Sequence, residues 1–145
     1  MFLNFLKHVK CVRIMNTVAA GTGDTQTSST IDMSGFDSVA VVAELGPVVD
    51  NAVATLRAQD GAQSNGSDAA NISNASAVLT ALSSSNTNLL VDVQRPQNRY
   101  LTVTLQRATQ NITINGITAY LYNARSIPVT QPASVSASSE TEANS

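Results

Sequence analysis

A chain of 145 residues with a formal net charge of −2, one His and one Cys has room for a single domain and little of the equipment that catalysis uses. One Cys excludes an internal disulfide, the lack of a basic field in the body argues against nucleic acid as a partner, and no run approaches the ~20 apolar residues of a membrane span. The 43% apolar content leans on Ala and Val, with 4% aromatic residues and no Trp, which predicts a thin core that draws stability from partner subunits.

Residues 1–29 read as an N-terminal arm and linker. Phe2, Leu3, Phe5, Leu6, Val9 and Val12 fit one helical face, yet a free helix of ~14 residues is marginal in water and needs a surface to pack on. Asn4, Lys7, His8, Lys10 and Arg13 interrupt the apolar residues, so there is no continuous secretory h-region, and the expected class is soluble, not secreted and not membrane-bound. A start at Met15 is an equally open reading. Ala19 to Ser29, with Gly21 and Gly23, reads as a polar linker.

The body spans 30–125. Ser38 to Leu45 is a β-branched apolar run suited to a strand buried on both faces, and Gly46-Pro47 is expected to end it, because Pro lacks the donor a ladder needs. Ala52 to Gln59 alternates Ala52, Ala54, Leu56 and Ala58 against Val53, Thr55, Arg57 and Gln59, a half-buried strand. Asp60-Gly61 and Asn65-Gly66 mark turns in a long polar excursion. The Ala-rich stretch from Asp68 to Leu82 suggests a short helix, although its Ser and Asn residues weaken that reading.

Three more strands follow. Asn88 to Gln94 sets Leu89, Val91 and Val93 against Leu90, Asp92 and Gln94, and Arg95-Pro96 breaks it. Tyr100 to Arg107 alternates Leu101, Val103 and Leu105 with Thr102, Thr104 and Gln106. Ile112 to Tyr122 continues around Asn115-Gly116, which reads either as a hairpin turn or, given the short arms beside it, as a bulge. Several short strands without a long helix predict an all-β, antiparallel, jelly-roll-like β-sandwich. Residues 126–145 form an extended Ser/Ala-rich tail with Pro128 and Pro132, disordered unless it docks.

A search for chemistry leaves little. Nucleophilic catalysis needs a base within hydrogen-bond reach, and His8, the one imidazole, lies in the arm. Cys11 reads as an apolar contact. The carboxylates are scattered without an aromatic sugar platform, and residues 60–68 depart from calcium-loop spacing, so they read as a turn. Four Asn-x-Ser/Thr triplets, at Asn65, Asn71, Asn74 and Asn111, read as ordinary polar residues. No catalytic residue, cofactor or metal is expected. Arg95-Pro-Gln-Asn-Arg99-Tyr100 supports two compatible readings: a loop whose arginines pair with Asp92 or neighbouring acids, and an interface anchor.

The order Ile31-Asp-Met-Ser-Gly-Phe-Asp-Ser38, a Val-rich strand ending in Leu45-Gly46, a strand into Gln59-Asp-Gly, a turn through Asp68, Leu90 to Arg95-Pro-x-x-Arg99-Tyr100, and Ile117-Thr-Ala-Tyr-Leu-Tyr122 resembles small virion structural proteins of tailed bacteriophages, of the capsid decoration (cement) type. The resemblance covers roughly residues 30–130. It implies a homotrimeric β-sandwich on the capsid surface, bridging neighbouring major capsid protein subunits to stabilise the DNA-filled head, with arm and tail docked on the shell. The alternative it leaves is a head-fibre or tail-associated virion protein involved in host recognition. Candidate interface residues are Phe2, Phe5, Leu6, Arg95, Arg99 and Tyr100.

Overall fold

The computed structural model describes residues 4–79 and 85–141, and their regular structure is almost wholly β. One helical turn, α1 (Phe5–His8), precedes β1 (Lys10–Met15), β2 (Val18–Gly21), β3 (Asp24–Thr27), β4 (Ile31–Asp32) and the long β5 (Phe36–Val48). Then come β6 (Val53–Gly61), β7 (Ala70–Leu79), β8 (Asn88–Gln94), β9 (Tyr100–Ala108) and β10 (Ile112–Ala124).

Two antiparallel sheets result. Sheet A runs β1–β10–β5–β8 with β2 also on β10, and sheet B runs β3–β9–β6–β7 with β4 also on β9. The pairing is nested: the first strands meet the last, β3 and β4 meet β9, β5 meets β8, and β6 meets β7. That nesting is the winding of a jelly roll, so the expected architecture is present.

The inner phases of both sheets supply the core. Val39, Val41, Leu45, Leu56, Leu101, Val103, Leu105, Ile114, Ile117 and Leu121 are all at most 2% exposed. Among the described residues no aromatic side chain is buried, consistent with the thin-core reading. The alternations expected for Ala52–Ala58, Leu89–Val93 and Leu101–Leu105 fall on the inner phase as read.

Four local expectations are corrected. The 14-residue helix does not form: α1 is a single turn, and β1 continues from Lys10, because Val12, Ile14 and Met15 pack into or against the core. Residues 10–27, expected as arm and linker, therefore belong to both sheets. The Ala-rich stretch is β7, not a helix; its register against β6 shifts between Arg57 and Gln59, and Asn74 takes a left-handed φ of 62°. That bulge breaks the period-two pattern, leaving Ala's helical preference as the visible signal. Residues 80–82 of that reading lie outside the described residues.

Gly46-Pro47 does not end β5, which reaches Val48; the ladder to β10 shifts register beside it, and a bulge is where Pro is tolerated. Nor is β5 buried on both faces, since Ala40 and Val42 are half-buried and Glu44 is exposed. At Asn115-Gly116 the bulge reading holds. Gly116 has φ 150°, and a Cβ there would meet Arg13 Nη2 at 2.7 Å.

Arg107, on β9, joins the sheets at one end. It is 3% exposed, donates to Asp24 on β3 at 2.7 and 2.5 Å, and gives Nη1 to the carbonyls of Ala19 (2.7 Å) and Ile112 (2.8 Å) of sheet A. The tail docks within its own chain. Gln131 and Ser134 meet the free edge of β1, and Val129 N–H donates to Lys7 O at 2.9 Å.

Candidate interaction surfaces

The outer phase of sheet A is the first candidate. The register sets Val42 beside Leu90, Ala40 beside Tyr120 and Ser38 beside Tyr122, so these side chains share one face. Leu90 is 64% exposed. α1 brings Phe5 over this face, edge-on to Tyr120 with ring centroids 6.2 Å apart, and Phe5 stays 58% exposed. Phe5, Val9, Ala40, Tyr120 and Tyr122 surround an apolar hollow of about 400 Å³.

Two acids, Glu44 and Asp92, share this face, Asp92 directly opposite Ala40, whereas its phenols and thiol are held protonated. Burial pushes the Tyr120 phenol up, with the neighbouring Cys11 and Glu44 adding to it. Tyr122 O–H donates to Asp92 at 2.6 Å, and that bond, more than burial, raises its pKa. Burial likewise raises the Cys11 thiol. None of the three groups carries charge at neutral pH.

The second candidate is a cleft of about 580 Å³ at one end of the sandwich, between the turn before β5, the β8–β9 loop and Arg125. Arg99 holds Asp32 through two bonds of 2.9 Å and lies 5.1 Å from the Tyr100 ring centroid. That guanidinium keeps the Asp32 carboxyl below the usual carboxylate range. Arg125 reaches Asp37 at 3.0 Å. Arg95 adopts φ 50°, and its N–H donates to Asp37 O at 2.7 Å. Asp92, the acid named for this loop, instead accepts from Tyr122, and among the described residues no ion pair engages Arg95.

Of the sequence-derived interface residues, Phe5 and Leu6 lie on α1 beside sheet A, whereas Arg95 and Arg99 line the cleft and Tyr100 begins β9 next to Arg99. Phe2 lies outside the described residues. The two groups do not touch, although the cleft and a neighbouring hollow next to Lys10 share Phe36 and Arg125. Sequence reasoning set Leu90 opposite the inner residues of β8 but did not name Leu90, Tyr120 or Tyr122 as interface candidates. Their signal was available: an aliphatic residue in β8, and two aromatics spaced by two in β10, occupy the phase opposite the core residues.

The polar excursion after β6 closes on Asp68, whose carboxylate accepts the N–H groups of Ala62 and Gln63 at 2.9 and 3.0 Å. These bonds lower its pKa and tie its oxygens to the turn. Among the described residues no group of three or more His, Cys, Asp or Glu could hold a metal, and no helix is long and apolar enough to cross a membrane.

No family model and no curated protein sequence matches the chain. Among solved structures it is similar to a protein described under "Bacillus endospore appendages form a novel family of disulfide-linked pili", at 11% identity and a TM-score of 0.45, covering 84% of this chain and 96% of that one. It is also similar to a chain from "Structure of infectious bursal disease virus Gt strain", at 10% identity and a TM-score of 0.46, covering 79% of this chain but 32% of the viral one. A third is from "Crystal structure of PirA", at 14% identity and a TM-score of 0.33, covering 84% and 97%.

Proposed function

We propose that the chain is a non-catalytic virion structural protein, a capsid decoration (cement) protein of a tailed bacteriophage. In this reading the outer face of sheet A packs on the major capsid protein, the assembled form is a homotrimer on the capsid surface, and each copy bridges neighbouring shell subunits. The observation that carries it is the face itself: Phe5, Val42, Leu90, Tyr120 and Tyr122 lie together, partly open to water, with the acids Asp92 and Glu44 on the same phase. A contiguous apolar patch with Tyr at its border fits a protein surface better than a small substrate. The sequence resemblance to phage virion proteins supplies the kind of partner. The tail, expected on the shell, lies on its own β1 in the isolated chain, so the proposed shell contact is sheet A with α1 and not the C-terminal tail.

The test is cryo-electron microscopy of the purified virion. Density for this sandwich on the capsid lattice, with sheet A toward the shell, is the expected result. Its presence only on tail or fibres would replace cement with host recognition, the alternative to which the arginine-lined cleft lends weight.

A further inference from the structure

We propose that the C-terminal segment is a removable guard on the free edge of sheet A, and that its release lets two copies of the chain join β1 to β1 about a twofold axis. β1 is paired on one side, by β10, with Cys11 opposite Tyr120. In an antiparallel pair alternate residues turn their backbone groups away from the partner. Here those are Val9, Cys11 and Arg13, and an exposed row of such groups invites another strand.

The segment answers these groups with side chains. Gln131 Oε1 accepts the Cys11 N–H at 2.9 Å, while its Nε2 donates to Val9 O at 2.7 Å and to Leu6 O at 3.0 Å. Ser134 Oγ accepts the Arg13 N–H at 3.3 Å, and Lys7 Nζ lies 3.8 Å from Glu140. The hold is shallow, since no residue from 125 to 141 is buried. Polar bonds at the half-buried Gln131 and at Ser134, with Val129, Pro132 and Val135 only half-buried beside them, make a contact that can be exchanged.

The occupant that fits the freed edge is a second β1. With Cys11 facing its own symmetry mate, the two residues exchange both backbone bonds, and each Arg13 N–H reaches the second copy's Val9 O. Those are the groups that Gln131 and Ser134 now satisfy, so guard and second copy exclude one another. In this register Lys10 falls opposite Val12 and Arg13 opposite Val9, so no like charges face directly. The inference is independent of the capsid reading.

Cys11 is a built-in reporter, because hydrogen-bonded antiparallel partners lie about 5.5 Å apart at Cα, within the span of a disulfide. The full-length chain carrying Val129→Pro, Gln131→Ala and Ser134→Ala together is compared with wild type by light scattering under reducing conditions, and by non-reducing electrophoresis after mild oxidation. The expected result is a mass twice that of wild type, and a Cys11-linked dimer that Cys11→Ser abolishes. Gln131→Ala alone should give a smaller dimeric fraction. An unchanged mass in a folded variant overturns the proposal, as does a doubled mass without the Cys11 link, which would place the contact elsewhere. Loss of the β-sheet circular dichroism also overturns it, since the segment would then be part of the fold and not a removable guard.

Discussion

Sheets A and B alternate in the same way toward their shared core, yet their outer faces follow different chemistry. On sheet B the solvent phase of β6 and β9 carries Thr55, Arg57, Gln59, Thr104 and Gln106, with Val78 as an apolar exception on β7. On sheet A the equivalent phase gathers Ala40, Val42, Leu90, Tyr120 and Tyr122, with Glu44 and Asp92 as its acids. Inner phases obey packing, so they look alike. Outer phases are free of that demand, and what they carry is information about contacts. A Thr- and Gln-rich face is at rest in water, whereas an aliphatic and aromatic one gains by losing it.

The comparison presupposes that the sheets stay packed, and Arg107 is the polar link that tests this. Arg107→Ala leaves Asp24 and the carbonyls of Ala19 and Ile112 without their donor, and should cost about 3 kcal/mol in a urea or thermal unfolding experiment. A loss below about 1 kcal/mol would mean water replaces the guanidinium there.

The next effect separates the faces. Leu90→Asp should change stability by about 0.5 kcal/mol or less, yet weaken attachment to isolated shells by about 2 kcal/mol, as loss of an interface anchor does. Thr104→Asp on sheet B should leave attachment unchanged. Equal effects of the two substitutions would erase the distinction between the faces.

Acid should reach sheet B through Asp24 and Asp32, whose carboxyls are held low by Arg107 and Arg99. A carboxyl with a lowered folded pKa binds fewer protons folded than unfolded. Its stabilisation is present above the unfolded value of ~3.9 and is lost as pH falls through the folded value. Melting temperature should therefore hold from pH 7 to about 5 and fall below about 4. Asp24→Asn should flatten that fall more than Asp32→Asn, because Arg107 is buried and Arg99 is open to solvent. The smallest effect is that of Arg99→Ala, a barely detectable shift in a thermal melt, because the Arg99–Asp32 pair is open to solvent.

Legibility followed the period of each segment. β6, β8 and β9 could be read almost residue by residue, because their inner apolar residues alternate; the exception is Thr102, read as outward but buried. β7 could not, since a bulge near Asn74 shifts the phase and Ala, Ser and Asn carry no strand preference. β1 to β3 were hidden for another reason. They are short, and they pair with β9 and β10 from the far end of the chain, an alliance no local window contains. The candidate surfaces show the same division. Arg99 and Tyr100 stood out by residue type, but Asp32, the acid that holds Arg99, lies 67 positions away.

From the sequence alone came the all-β class, the inner residues of the regular strands and the scarcity of catalytic groups, because period and composition are local properties. The tertiary structure decided the rest: which strands neighbour, which outer phase gathers the aromatics, and that Gln131 closes the edge of β1. Those are matters of register and chain return, set when distant segments bury a common core.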